Sequence, residues 1–242
     1  MFRVERDADI AIVRLDNPPV NAVRFDRWRD LPPLIEGLER DGIAAMVFTG
    51  LPHRHFCGGN DFREFASLTP DQTLAGTAAV RDALRAVHDS PVLAIAALHG
   101  AAVGSGFMLA CACDLRLATA DAKLGLPEVK VDAFGGYRIV REVLAKGEAR
   151  MLALTGNSMS GTRAHQIGLV QELGPGPEGV LDRAVEVAHE LAGTLKGKMR
   201  AGIKATLNRE DELDLWTAYD LERDFASAVM GQAMSEAAAP GG

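Results

Sequence analysis

The chain has 242 residues, 48% of them hydrophobic, enough to bury a large core in one domain or two. Its 26 Lys and Arg against 33 Asp and Glu leave a formal charge of −7, and no basic stripe stands out, which argues against a nucleic-acid partner. Residues 1–7 lack the apolar centre of a signal peptide and no apolar run is long enough to span a bilayer, so a soluble, cytoplasmic protein is expected. Cys57, Cys111 and Cys113 cannot all pair, and the last two, two residues apart in a helical stretch, point to different faces; reduced thiols are expected.

Residues 10–15, Ile-Ala-Ile-Val-Arg-Leu, read as a strand of an N-terminal hairpin. Asp16-Asn17-Pro18-Pro19 stops it, because two prolines remove ladder donors and fix φ. Residues 24–40 carry Phe25, Trp28, Leu31, Leu34, Ile35 and Leu38 mostly at helical steps, and Pro32-Pro33 predicts a kink or a restart there. Residues 44–49 read as a short buried strand, 50–59 as its exit loop, 70–88 as a helix and 92–98 as a further strand. This alternation predicts βαβ units and a largely parallel sheet with right-handed crossovers. A strand at 115–118 follows, then helices at 148–154, at 160–167 with Ser160 as N-cap, at 178–195 and at 211–230. Gly174-Pro175-Gly176-Pro177 is a loop within the fold, the tail from 237 to 242 is expected to fray, and no repeat or low-complexity linker is visible.

The chemistry concentrates in residues 99–128. The apolar run 92–98 feeds an Ala/Leu/Cys-rich helix through Gly100, Gly104 and Gly106, which leaves free N–H groups at the helix start, where anions and developing oxyanions are held. The stretch closes with Leu-Gly-Leu-Pro-Glu, and Glu128, a lone acid beside an apolar wall, is a candidate proton carrier. Cys57-Gly58-Gly59-Asn60-Asp61 is a second glycine-rich turn. By itself it satisfies positive φ; paired with Gly104-Ser105-Gly106 it can aim one N–H from each turn at a single carbonyl oxygen. The glycine spacing is not a dinucleotide fingerprint, and Ser105 has Val103 where a nucleophile elbow needs glycine. His53-x-His55-x-Cys57 lacks convincing further ligands, so a solvated loop is preferred and no metal is expected.

Three blocks, His-Phe-Cys-Gly-Gly-Asn-Asp-Phe-Arg-Glu-Phe at 55–65, residues 99–114 and residues 124–128, make the chain resemble the enoyl-CoA hydratase/isomerase, or crotonase, superfamily. Weaker similarity runs from about Val4 to Asp220. The resemblance implies an α/β fold, the β-β-α spiral of the ClpP/crotonase type. A spiral core over 1–174 and a helical, trimerisation-type region over 175–242 are expected, assembled as a trimer or a hexamer built as a dimer of trimers. It implies an acyl-CoA substrate in fatty acid metabolism, with coenzyme A present only as part of the substrate and no redox cofactor. The oxyanion-hole donors would be the main-chain N–H groups of Asn60 and Ser105. The family often has alanine and glycine there, a change that does not by itself abolish a main-chain hole. Val20, Ala22, Gly58, Asp61, Phe62 and Arg63 match the coenzyme A channel, Arg63 as a phosphate partner, and Gly104, Met108 and Pro127 line the substrate.

Hydratases of this family use two glutamates; here the first position carries Met108, which cannot exchange a proton, while Glu128 is kept. That is similar to the Δ3,Δ2-enoyl-CoA isomerases, in which one base carries a proton from C2 to C4. A one-base double-bond isomerase is therefore expected, with Glu128 catalytic. A hydratase, decarboxylase or thioesterase is the alternative within the enzymes, and a non-catalytic acyl-CoA-binding homologue the alternative outside them. An ion pair of Glu128 with Lys123 or Lys130 is the competing structural reading. The segment after Glu128 is shorter than the family's, which puts Asp132 forward as a replacement acid without a family counterpart. The usual C-terminal Asp-x-x-Glu-Gly-x-x-Ala-Phe is replaced by Met230-Gly-Gln-Ala-Met-Ser-Glu, which touches the expected cross-subunit coenzyme A contacts.

Overall fold

The first strand of the hairpin, β1 (Phe2–Asp7), pairs antiparallel with β2 (Ile10–Leu15), Phe2 opposite Leu15, and Ala8 turns the chain at φ 53°. The computed structural model describes residues 1–65, 67–210 and 213–238. Beyond β2, Pro32-Pro33 marks a restart: a 3-10 helix, Phe25–Asp30, gives way to α1 (Leu31–Arg40), with the prolines in the first turn, where a missing N–H costs no intrahelical bond. β3 (Ala45–Thr49) leads through residues 50–61 to α2 (Phe62–Phe65) and then to α3 (Pro70–Asp89). Thr69 and Gln72 form a reciprocal capping box at the start of α3, with bonds of 3.3 and 2.9 Å. β4 (Leu93–Leu98), β5 (Ala101–Val103), α4 (Ser105–Ala112), β6 (Leu115–Thr119) and β7 (Lys123–Gly125) follow, then a 3-10 turn, Pro127–Val131. The remainder is α5 (Tyr137–Val143), α6 (Lys146–Thr155), β8 (Ser158–Ser160), α7 (Gly161–Gln166), β9 (Glu172–Gly174), α8 (Gly176–Thr194), α9 (Gly197–Glu210) and α10 (Leu215–Ala238).

The strands make a six-stranded sheet in the order β1-β2-β3-β4-β6-β9, parallel from β2 onward, and a smaller sheet in the order β5-β7-β8. Parallel bridges Val23↔Asn60 and Cys57↔Ala102 carry the smaller layer back toward the start of the chain. The path therefore repeats one unit: a strand of the large sheet, a short extended piece of the second layer, then a helix. It does so from β2 through Val23 to α1, from β3 through residues 57–60 to α2, from β4 through β5 to α4, and from β6 through β7 to the 3-10 turn. These units wind into a β-β-α spiral, a repetition of backbone that the sequence does not repeat.

Alternation along the parallel strands splits the core in two. Met46 and Phe48 face Trp28, Phe56 and Phe107 in one apolar cluster, while Val47, Ile95 and Leu117 face Val180, Ala184 and Ala188 of α8 in the other. β3 and β4 are buried at every position, as strands covered on both faces must be. Ser160 caps α7 by accepting from Arg163 N at 3.1 Å, as its residue type predicts. The final helix, expected from 211, starts at Leu215 in the described residues. Residues 211 and 212, the tail from 239 to 242 and the side chains of the Met230-Gly-Gln-Ala-Met-Ser-Glu segment lie outside them.

Candidate active site

The two glycine-rich turns meet. A Cβ on Gly59 would stand 2.9 Å from the Val103 carbonyl and 3.6 Å from Ser105 N, and one on Gly104 would stand 3.7 Å from Gly59 Cα. Both residues have positive φ, 87° and 57°, so glycine serves here for backbone conformation and for close approach alike. The orientation of the first donor follows from peptide planarity. Val23 N donates to the Gly59 carbonyl at 2.8 Å, and because the C=O and N–H of one trans peptide point oppositely, the Asn60 N–H points away from Val23. That is the side on which β5 runs, since Cys57 pairs with Ala102 there. Ser105 opens α4, whose first intrahelical bond is Met108 N to the Gly104 carbonyl at 2.9 Å, so the Ser105 N–H has no acceptor within its helix.

Glu128 stands against this pair of turns. A Cβ on Gly104 would come within 2.8 Å of Glu128 Oε1. β7 holds the acid in place: Gly104 N donates to the Gly125 carbonyl at 3.0 Å, and Pro127 starts the 3-10 turn that presents the side chain. Glu128 Oε2 is buried with no hydrogen-bond partner. Burial pushes the carboxyl above its ordinary 4.5, partly opposed by a hydrogen bond from its own backbone N–H. Among the described residues it makes no ion pair; Lys130 Nζ goes instead to Asn157 Oδ1 at 3.3 Å. The competing reading of Glu128 as half of a surface pair with Lys123 or Lys130 has no contact behind it.

Met108 is buried on α4 and its thioether packs against Gly136, which takes φ 71° at the start of α5. Asp132 sits at φ 55° at the end of the 3-10 turn, exposed, its backbone N–H capping the Glu128 carbonyl. The positions matched to the coenzyme A channel lie on two stretches, 20–22 and 58–63, that meet where Gly58 bonds Val20. Gly58 N donates to the Val20 carbonyl at 2.8 Å, the Ala22 carbonyl accepts from Asn17 Nδ2 at 2.6 Å, and Phe62 is exposed beside Asp61 and Arg63. Arg63 grips Asp61 through Nε at 2.9 Å and Nη2 at 2.7 Å, which holds the Asp61 carboxyl below its usual range while the guanidinium stays largely in solvent. The three residues of the His-x-His-x-Cys stretch go to separate partners: His53 to Asp16 at 2.7 Å, His55 Nδ1 to Ala101 N at 3.0 Å, and the Cys57 thiol to the Asn21 carbonyl at 3.2 Å.

Two residues of the site region escaped the sequence reading. Asn21, fully buried at φ 54°, donates to the carbonyls of Gly50 and His55 at 3.0 and 2.9 Å and so shapes the loop that carries the first donor. Trp28, read as one more core residue, donates from its indole to Asn60 Oδ1 at 2.9 Å. An asparagine two residues after Pro18-Pro19, a residue type that tolerates positive φ in turns, was the available signal for the first; nothing local signals the second.

A family model described as enoyl-CoA hydratase/isomerase matches residues 5–239, and the chain belongs to that family. It is 26% identical over 228 residues to the short-chain-enoyl-CoA hydratase of Clostridium acetobutylicum, covering 91% of this chain and 86% of that one. It is 25% identical over 246 residues to the peroxisomal Delta(3,5)-Delta(2,4)-dienoyl-CoA isomerase of Arabidopsis thaliana, covering 95% and 88%. The solved structure of DspI from Pseudomonas aeruginosa matches with a TM-score of 0.89 at 27% identity, covering 95% of each chain. The fold is thus the crotonase-like spiral with its helical C-terminal region, and the protein is an enzyme of the hydratase/isomerase type. No helix among the described residues is long and apolar enough to cross a membrane.

Proposed function

We propose that this chain is a one-base isomerase that moves the double bond of an enoyl-CoA thioester, with Glu128 as the base and the N–H groups of Asn60 and Ser105 as the oxyanion hole. The observation that carries the reading is the half-buried Glu128 carboxylate, one oxygen buried without a partner, at the meeting of the two turns, with a thioether at the place of a second acid. Glu128, ionised, takes a proton from C2 of a 3-enoyl thioester; the electron pair spreads over the C3=C4 bond and onto the thioester oxygen. Two N–H donors meet that oxygen, and losing either typically costs about 2.7–4 kcal/mol of transition-state stabilisation. The protonated Glu128 then delivers the same proton to C4, the double bond settles between C2 and C3, and the carboxylate is regenerated. A carboxyl raised by burial suits both halves of this cycle, because a base of higher pKa takes a carbon-bound proton with less penalty.

Coenzyme A enters only as part of the thioester, along the rim formed by Val20, Ala22, Gly58, Asp61, Phe62 and Arg63, with Gly104, Met108 and Pro127 against the acyl part. Fatty acid metabolism in the cytoplasm and a trimeric or hexameric assembly belong to the same proposal. The test is a panel of acyl-CoA esters incubated with the protein and read by mass together with double-bond position. Isomerisation leaves the mass unchanged and shifts the double bond; added water, lost CO2 or freed coenzyme A would replace this reading with hydration, decarboxylation or hydrolysis. Binding with no conversion of any ester would leave an acyl-CoA-binding homologue. Met108→Glu should introduce measurable hydration of crotonyl-CoA, since it returns a second proton-handling group to the same wall.

A further inference from the structure

The side chains of the two hole-forming residues are bonded to each other. Asn60 Oδ1 accepts from the Ser105 hydroxyl at 2.9 Å and from Trp28 Nε1 at 2.9 Å. An indole N–H only donates, so it fixes which way the Asn60 amide faces, and the carbonyl's second lone pair is left for the serine. Trp28 is fully buried, and its ring packs near that of Phe2 with centroids 6.2 Å apart, so the anchor is held by the core. Ser105 is 1% exposed. Three separate pieces of chain, the 3-10 helix Phe25–Asp30, the turn at Asn60 and the start of α4, therefore converge on one oxygen atom.

We infer that Asn60 is a positioning residue whose side-chain carbonyl ties the two turns to each other and to Trp28, and so fixes the separation of the two donors aimed at the thioester oxygen. The inference rests on the proposed role of those N–H groups. The side chain and the N–H of Asn60 hang from one Cα, as do those of Ser105, so a bond between the side chains restrains the donors directly. Without it, the Cys57–Ala102 bridge and the backbone approach of Gly59 to Gly104 would hold the backbones together, with no side-chain tie between the two donor residues. Donors aimed in advance stabilise developing charge without reorganising when it appears, and that is the gain such a clamp supplies. The alanine and glycine often found at these positions in the family cannot form this bond, so side-chain identity, which a main-chain hole seemed to make unimportant, matters here.

The test uses butyryl-CoA carrying 13C at the thioester carbonyl, which has no double bond to move, with the NMR shift of the bound carbonyl as the readout. Wild type, Asn60→Ala, Ser105→Ala, the double variant and Trp28→Phe are compared, with circular dichroism as a check on folding. A hole that polarises the carbonyl moves its resonance downfield on binding. Asn60→Ala and Ser105→Ala should each lose part of that displacement, and the double variant no more than the larger single loss. In 3-enoyl-CoA isomerisation kcat should fall about tenfold with KM changed by less than about twofold, as expected of a group that acts through the donors' aim. Trp28→Phe, which removes the indole N–H and keeps an aromatic ring, should fall in the same direction. Unchanged carbonyl shifts in the folded variants, or losses that simply add in the double variant, overturn the clamp. A wild-type carbonyl that does not move on binding overturns instead the hole on which it rests.

Discussion

A carboxylate oxygen buried without a hydrogen-bond partner is a cost to the fold, and Glu128 Oε2 carries that cost beside the turn it would serve. Because burial raises its folded-state pKa above the unfolded 4.5, the native protein binds more protons than the unfolded chain between the two values, and its stability falls as pH rises through that window. Glu128→Gln should therefore stabilise the protein at neutral pH in urea titrations, a gain that disappears at acid pH, where the acid is protonated in both states. A destabilised or equally stable variant at neutral pH would contradict a strained, unpaired acid. The activity should rise with pH through one ionisation above 4.5, as a base must be ionised to act. Gly104→Ala should lose about a hundredfold in kcat, because its Cβ would stand 2.8 Å from Glu128 Oε1 on a backbone with φ 57°. Glu128 and both glycine turns were singled out from residue type and spacing, and Met108 by the family resemblance. The Trp28 to Asn60 bond was not, since 32 residues of chain separate its ends and an indole looks the same in a sequence whether or not its N–H has a task.

Among the elements, those with a clear period announced themselves: β2, α3 and α8 stand within two residues of their expected limits. β5, β8 and β9 have three residues each, too few to show an alternation, and β5 was read only as a glycine-broken turn. The seven-residue α5, whose Ile139, Val140 and Val143 pack on the main core, was too short to show a period, and the largely polar α9 gave no clear apolar face. A buried cation ties α9 to the core, beside the Asn208 Nδ2 bond to the His88 carbonyl at 2.8 Å. Lys204 Nζ bonds the carbonyls of Val87 and Val92 at 3.1 Å each and Asp114 Oδ2 at 2.9 Å, while Asp114 Oδ2 also accepts from Ala94 N at 2.7 Å. The end of α3, the start of β4, the entry to β6 and α9 are thus joined at one ammonium. Lys204→Met keeps the stem and removes the charge; it should cost about 3 kcal/mol in urea denaturation, mostly from the acceptors left unpaired. A loss under about 1 kcal/mol would mean that α9 is held by its packing and the Asn208 bond without the ammonium.

At the scale of the whole molecule, the spiral repeats its backbone path without repeating its sequence. The reason is physical: each unit packs against different neighbours, so β3 and β4 need apolar residues on both faces while β1, at the edge, is exposed along most of its length. The α10 helix packs chiefly on α9 and leaves Leu215, Trp216 and Tyr219 exposed, Trp216 at 72%. Large aromatics in solvent favour a subunit contact, in keeping with the proposed assembly. Light scattering should give three or six protomers, and Trp216→Glu with Tyr219→Lys should lower that number; a monomer at tens of micromolar wild-type protein would contradict the assembly.

The most direct measurement on the central claim follows the α-proton. Wild-type protein in deuterated water should exchange deuterium into C2 of a bound acyl-CoA. Glu128→Gln should abolish that exchange with little change in acyl-CoA affinity, because the amide keeps the shape of the acid and cannot act as a base. Exchange that continues unimpaired in Glu128→Gln would remove Glu128 from the chemistry and contradict the one-base reading.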